Sequence, residues 1–193
     1  MSEELYKVTA RIIYKLGERL ELSETKAILS RLRNSIGRDI SETIAIWPLL
    51  FEEVPLEYLS KNGIPTNQEN AILAALQLYA LHQQGKSKSV HESTGNNIGK
   101  ALHDIRDTNN TALDRRFNAL ITSGNFKELI THLRHLISIF KQEADTKIDY
   151  AKLAKDFYWY QMSSESANRM RMRWGQGYYY YHVKEKEGEK DAE

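Results

Sequence analysis

The sequence predicts an all-α protein. Three observations carry that prediction: only three prolines and ten glycines interrupt 193 residues, period-two alternation of apolar and polar residues is scarce, and apolar residues recur at spacings of three and four almost throughout. A first helix is expected from about Glu3 to Leu20. Ser23 offers an N-cap for a second, whose apolar positions Ala27, Ile28 and Leu32 precede a stop near Gly37. Ser41-Glu42-Thr43 opens a third that reaches Trp47-Pro48. Pro48 lacks an N–H and clashes with a preceding turn, so it either kinks that helix or begins a new one at its first turn.

Val54-Pro55 to Thr66 reads as a short helix plus loop, ended by Asn62-Gly63 and Ile64-Pro65. Ala71 to Leu81 is apolar on nearly every face, the pattern of a helix surrounded by neighbours, and is expected at the centre of the fold. Gln83 to Asn97 is rich in Gly, Ser, Lys and Asn and has no period, which marks a loop or linker. Beyond it, three stripes follow: Leu113, Phe117, Leu120, Ile121; then Leu129, Ile130, Leu133, Leu136, Ile137, Phe140; then Tyr150, Leu153, Ala154, Phe157. Short loops at Ser123-Gly124 and Asp145-Thr146-Lys147 make them an antiparallel bundle. In the last helix Gly175 and Gly177 either end the element or let another backbone approach.

These elements divide into two helical lobes: an N-terminal lobe over 1–85, a loop or linker over 86–96, and a C-terminal helical bundle over 97–181. Residues 182–193 form a charged tail with three lysines against five carboxylates and too little apolar surface to offset its ordering entropy, so disorder is expected there. A chain of this length can bury a sizeable core without staples. Zero cysteines exclude disulfides and thiolate metal sites. The acidic start Met1-Ser2-Glu3-Glu4 and the lack of a long apolar run exclude a signal peptide and a membrane helix, so the expected place is the cytoplasm.

A net charge of +1 conceals local clustering of cations. Arg31-Leu32-Arg33, Lys86-x-Lys88, Lys100, Arg106, Arg115-Arg116 and Arg134 recur beside apolar stripes on separate elements. Arginine offers phosphate a planar fork of donors, and phosphate contacts are indifferent to base identity. Together these residues are expected to form one solvent-exposed strip that holds a nucleic-acid backbone. The run from Tyr158-Trp159-Tyr160 through Arg169-Met170-Arg171-Met172-Arg173-Trp174 to Tyr178-Tyr179-Tyr180-Tyr181 interleaves cations with aromatics, as single-strand binders do. Met170, Trp174, Gly177, Tyr178 and Tyr181 fall at helical spacing, however, and read as core, which leaves Arg173 beside that stripe as a contact candidate.

Enzyme signals are weaker. His103-Asp104 is the central dipeptide of helical metal phosphohydrolases, with His82 and His91 upstream and Asp107 and Asp114 downstream, but the upstream histidines lie at a helix end and in a loop, where rigid coordination is hard to arrange. His132-x-x-His135 lacks a carboxylate that would complete a zinc set. No phosphate loop, nucleophile elbow or paired-carboxylate motif occurs. The expectation is therefore a non-enzyme without cofactor or metal. A metal-dependent phosphohydrolase of the His-Asp type and a stand-alone helical DNA-binding regulator are the alternatives.

The order of eight residue blocks adds a resemblance. They are Leu29-Ser30-Arg31-Leu32-Arg33, Trp47-Pro48-Leu49-Leu50-Phe51, Glu69-Asn70-Ala71 to His82, Ile98-Gly99-Lys100-Ala101-Leu102, Asp114-Arg115-Arg116-Phe117 with Leu120-Ile121, Leu129 to Ile137, Ile148-Asp149-Tyr150-Ala151 to Trp159, and Arg173-Trp174-Gly175-Gln176-Gly177-Tyr178. In this order they resemble the CasB family, the small subunit of the type I-E Cascade CRISPR surveillance complex. The resemblance implies an all-α, non-catalytic protein of two helical lobes, paired head-to-tail with a second copy inside the complex. It further implies contact with the crRNA-bearing backbone subunits and the large subunit, and a basic surface that stabilises the guide–target duplex and the displaced non-target DNA strand. The basic positions it assigns are Arg31, Arg33, Lys86, Lys88, Lys100, Arg115, Arg116, Arg134 and Arg173.

Overall fold

A computed structural model describes residues 2–107, 111–142 and 146–190, the last ten of these as backbone only. Nine α-helices are found among them: α1 (Ser2–Gly17), α2 (Ser23–Asn34), α3 (Trp47–Glu53), α4 (Asn67–Gln83), α5 (Ile98–Asp104), α6 (Ala112–Ile121), α7 (Phe126–Phe140), α8 (Tyr150–Met162) and α9 (Ser164–Lys190). Short 3-10 turns at Ile40–Glu42, Ile44–Ile46 and Leu56–Tyr58 complete the regular structure, and the class is all-α as the spacing predicts. None of the described helices is long and apolar enough to cross a membrane.

α4 is the axis. Every residue from Ala71 to Ala80 is buried, and the helix packs against α1, α2, α7 and α8, as an element apolar on all faces must. Its start is fixed by a capping box: the Thr66 hydroxyl accepts from Glu69 N at 3.1 Å, and the Glu69 carboxylate accepts from Thr66 N at 2.8 Å. α8 packs between α1 and α4, and α9 lies along α5 and α8. The buried apolar residues form one contiguous cluster that runs from Leu5 to Tyr178.

Helix ends depart from the sequence reading in the N-terminal region. Ser23 is the first residue of α2, and Leu22 occupies the cap position with no side-chain bond. Ser41 opens no α-helix: Asp39 accepts from Ser41 N at 2.9 Å and caps a 3-10 turn, and Trp47 Nε1 donates to Ile40 O at 2.7 Å across that turn. Pro48 sits in the first turn of α3, so it begins a helix and kinks none. α1 stops at Gly17, short of Leu20.

The segment between α4 and α5 has no helix but is held by hydrogen bonds. The Gln83 amide donates to Lys86 O at 3.0 Å and Lys88 O at 2.9 Å, and its oxygen accepts from Val90 N at 3.0 Å. Val90 O accepts from Ile148 N at 3.0 Å, and Gly95 N donates to Asp149 at 2.8 Å. Asp149 also accepts from the Tyr6 hydroxyl at 3.0 Å and from Lys152 N at 2.9 Å, tying α1, this segment and the start of α8 to one carboxylate.

α9 continues through Gly175 and Gly177. Gly177 and Gly99 face each other's helices: a Cβ on Gly177 would meet Asn97 Oδ1 and Lys100 N, and one on Gly99 would meet the Trp174 carbonyl. Close approach of α5 is thus the reason for Gly177, whereas Gly175 has open space where a Cβ would lie. Met170, Trp174 and Tyr178 are buried, so the stripe is core; the side chain of Tyr181 lies outside the described residues.

Candidate nucleic-acid interface

Helical phase sorts the cations into those that hold the fold and those that face solvent. Arg106 belongs to the first group. Its guanidinium forms a two-point pair with Asp114, Nε to Oδ1 at 2.8 Å and Nη2 to Oδ2 at 3.0 Å, and lies 4.9 Å from the Tyr178 ring centre. The Asp114 pair raises its pKa further. Arg106 is thereby removed from the phosphate-binding track that its sequence neighbours suggested.

The cluster Arg169, Arg171, Arg173 is split in the same way. Residues two apart on a helix point to different sides, whereas residues four apart share one. Arg171 turns inward, donating to Ser123 O, to the Tyr160 hydroxyl at 3.1 Å and to Asn168 Oδ1 at 2.9 Å. Arg169 and Arg173 are exposed and line one cavity. Arg169 pairs with Glu165 at 2.6 Å, while no described side chain pairs with the Arg173 guanidinium.

The remaining candidates lie on four helices and the segment between α4 and α5. Arg31 and Arg33 occupy the last turn of α2, Arg31 exposed and Arg33 half-buried, where partial loss of water lowers the Arg33 pKa. Lys86 and Lys88 project from the segment fixed by Gln83 and line an open cavity of about 920 Å³ together with Lys147, Glu92 and Asp104. Lys100 forms an ion pair with Asp104, one of the residues that line it. Arg115 and Arg116 are exposed on α6, and neither guanidinium has a partner among the described residues; Asp114, their sequence neighbour, is already engaged by Arg106 and the Tyr178 hydroxyl. Arg134 is exposed on α7 beside exposed His135, while His132 lies 3.7 Å from Glu128.

The structure therefore gathers Lys86 and Lys88 around one cavity, with Lys100 paired to its Asp104, and places Arg173 at a second; among the described residues the two cavities share no lining residue. Lys147 in the first and Lys155 and Arg169 in the second were not among the sequence candidates. Lys147 stands alone in sequence, and Lys155 is three residues from Lys152 with no arginine beside it. Arg169 could have been paired with Arg173 by its spacing of four.

The histidines of the phosphohydrolase alternative are used by the fold. His103 Nδ1 lies 3.1 Å from Tyr178 O, joining α5 to α9, and Asp104 is paired with Lys100. His82 Nδ1 meets the Tyr150 hydroxyl at 3.0 Å in the core, where burial lowers its pKa to about 4. His91 Nδ1 lies 3.2 Å from Ile148 O. Among the described residues no three His, Asp or Glu side chains come together as a metal site would require.

Known proteins of this architecture exist. The crystal structure of CasB from Thermobifida fusca superposes with a TM-score of 0.72 at 24% identity, covering 90% of this chain and 97% of that one. CasB from Thermus thermophilus gives 0.63 at 20% identity, with 89% and 97% covered, and a second Thermus thermophilus structure, described as a CRISPR-associated protein of the Cse2 family, gives 0.65 at the same identity and coverage. A search of curated proteins finds no significant match in sequence. The sequence pattern of the family described as CRISPR-associated protein Cse2 matches residues 28–179, most of the chain and nearly the same span as the eight blocks. The chain belongs to the CRISPR-associated Cse2 family, the CasB family that those blocks resemble.

Proposed function

We propose that the protein is a non-catalytic, nucleic-acid-binding small subunit of a type I-E Cascade complex in antiviral defence. In this reading its exposed cations hold phosphates of the crRNA–target duplex and of the displaced non-target strand. Its helical faces meet the crRNA-bearing backbone subunits, the large subunit and a second, head-to-tail copy. Residues 1–85 and 97–181 act as its two lobes around the 86–96 segment. The observation that carries the proposal is the division of labour among arginines: Arg106 and Arg171 are spent inside the fold, while Arg31, Arg115, Arg116, Arg134 and Arg173 are left facing water without carboxylate partners among the described residues. Exposed arginine that serves no internal contact is available to phosphate.

The energetics suit the role. The heteroduplex formed in an R-loop is about as stable as the duplex it replaces, so modest backbone contacts tip the exchange. The test is salt dependence. If about six cations contact single-stranded phosphates, log K for an unstructured oligonucleotide falls with log salt at a slope near −4, from about −0.7 per contact. Sequence-indifferent binding with that slope supports the proposal, and affinity independent of salt overturns it. Co-purification of crRNA and CRISPR subunits from the native host tests the assembly itself.

A further inference from the structure

Three tryptophans occur in the chain. Two have their indole N–H engaged: Trp47 donates to Ile40 O at 2.7 Å, and Trp174, fully buried, donates to Asp156 at 2.8 Å. Trp159 differs. It is 37% exposed, and among the described residues nothing accepts from its Nε1–H. It lines a cavity of about 350 Å³ with Lys155, Ser166, Arg169 and Arg173, between α8 and α9 beside the start of α1.

The charge of that cavity is positive in effect. Among the described residues Asp156 is the one acidic residue in its lining, and its carboxylate is occupied by the Trp174 indole and Lys152. Lys155 and Arg169 carry ion pairs with Glu3 and Glu165, but those carboxylates are 66% and 78% exposed, and pairs of that kind are weak enough to give way to a phosphate. The Arg173 guanidinium has no such partner among the described residues. The volume lies at the small end of ligand clefts. An aromatic face ringed by three cations suits a nucleobase with its flanking phosphates, since every base has a face to stack and guanidinium binds phosphate oxygens without regard to sequence.

We propose that Trp159, Lys155, Arg169 and Arg173 form a subsite for one unpaired nucleotide of a single strand, the base stacked on the indole and the adjoining phosphates held by the cations. The proposal rests on the nucleic-acid-binding reading above and adds to it a strand preference: bases inside a duplex are stacked on one another and cannot reach Trp159.

The test uses the full chain with a short oligothymidylate and, separately, a blunt duplex. Trp159→Ala weakens single-strand binding about tenfold and changes duplex binding by less than about twofold, and Trp159→Phe restores part of the loss. Oligothymidylate quenches the indole emission of the wild-type protein, and this quench is absent in Trp159→Phe, whose conservative ring also keeps the fold if the alanine variant fails to form. Unchanged single-strand affinity, equal loss on both substrates, or a quench that survives in Trp159→Phe overturns the subsite while leaving general phosphate binding intact. A wild-type protein that binds neither substrate overturns both readings.

Discussion

Gly99 of α5 lies directly against the Trp174 carbonyl of α9, so closely that a Cβ at Gly99 would fall inside the 3.0 Å that real Cβ contacts keep. The two helices meet backbone to backbone at this point, and Asn97 Nδ2, donating to Arg173 O at 3.0 Å, extends the junction.

Glycines in this region should therefore respond in opposite directions. Gly99→Ala forces α5 away from α9 and is expected to cost about 2 kcal/mol as an overpacking change. Gly175→Ala meets open space and removes the helix penalty of glycine, a gain of about 1 kcal/mol. Thermal unfolding should show a midpoint several degrees lower for the first and a few degrees higher for the second, from about 2–4 °C per kcal/mol in a chain of this size.

Asp114 joins three elements of the C-terminal half, accepting from Arg106 and from the Tyr178 hydroxyl while Phe117 stacks on the Tyr178 ring at 4.0 Å. Burial, and then the Asp114 bond, hold the Tyr178 phenol above the ordinary tyrosine range. Asp114→Ala is expected to destabilise by about 2 kcal/mol through loss of charge-assisted bonds. Chemical denaturation measures the loss, and ultraviolet titration should show one tyrosine moving back toward its usual range.

His82 fixes a pH dependence. Its pKa is lowered to about 4 by burial, so between about 6.5 and 4 the unfolded chain binds the proton and the folded chain does not. Stability is accordingly greatest above the unfolded value and is lost as pH falls through that window, by on the order of 3 kcal/mol, with His91 lowered in the same direction. Denaturation midpoints between neutral pH and pH 4 test this, and His82→Gln should flatten the decline.

On the exposed face of α6, Arg115→Glu combined with Arg116→Glu should weaken binding to single- and double-stranded DNA at low salt by about tenfold or more, with unchanged helicity by circular dichroism. Unaltered affinity would remove both residues from the interface.

Arg171 and Arg173 should separate stability from binding. Arg171→Ala loses its bonds to Ser123 O and Tyr160 and lowers the unfolding midpoint, a cost of about 1–2 kcal/mol, without altering the salt slope. Arg173→Ala leaves the midpoint in place and makes the single-strand slope shallower by about 0.7.

The helical class, the central position of Ala71 to Leu81 and the core identity of the Met170, Trp174, Tyr178 stripe were all legible before any coordinates, because apolar periodicity records which side of a helix is buried. Family membership was legible in eight short blocks in order, which span nearly the residues that the family pattern matches. Caps were less legible. Ser23 and Ser41 have the chemistry of caps, but Leu22 and Asp39 took those positions, since a cap depends on where the preceding loop delivers the chain. The i,i+4 relation of Arg169 to Arg173, and the contrary phase of Arg171, is carried by their spacing in the sequence.

By itself the sequence determined that the chain is helical, which residues line each helix's apolar side, and which family it joins; each of these is written in spacing along one strand of polypeptide. Tertiary structure alone decided which cations remain available. Arg106 is held by Asp114 and Tyr178, Arg171 by Ser123 and Tyr160, and Trp159 is left beside Arg173, because an ion pair or a cavity wall forms between residues that only the packing of α6, α8 and α9 brings within a few ångströms.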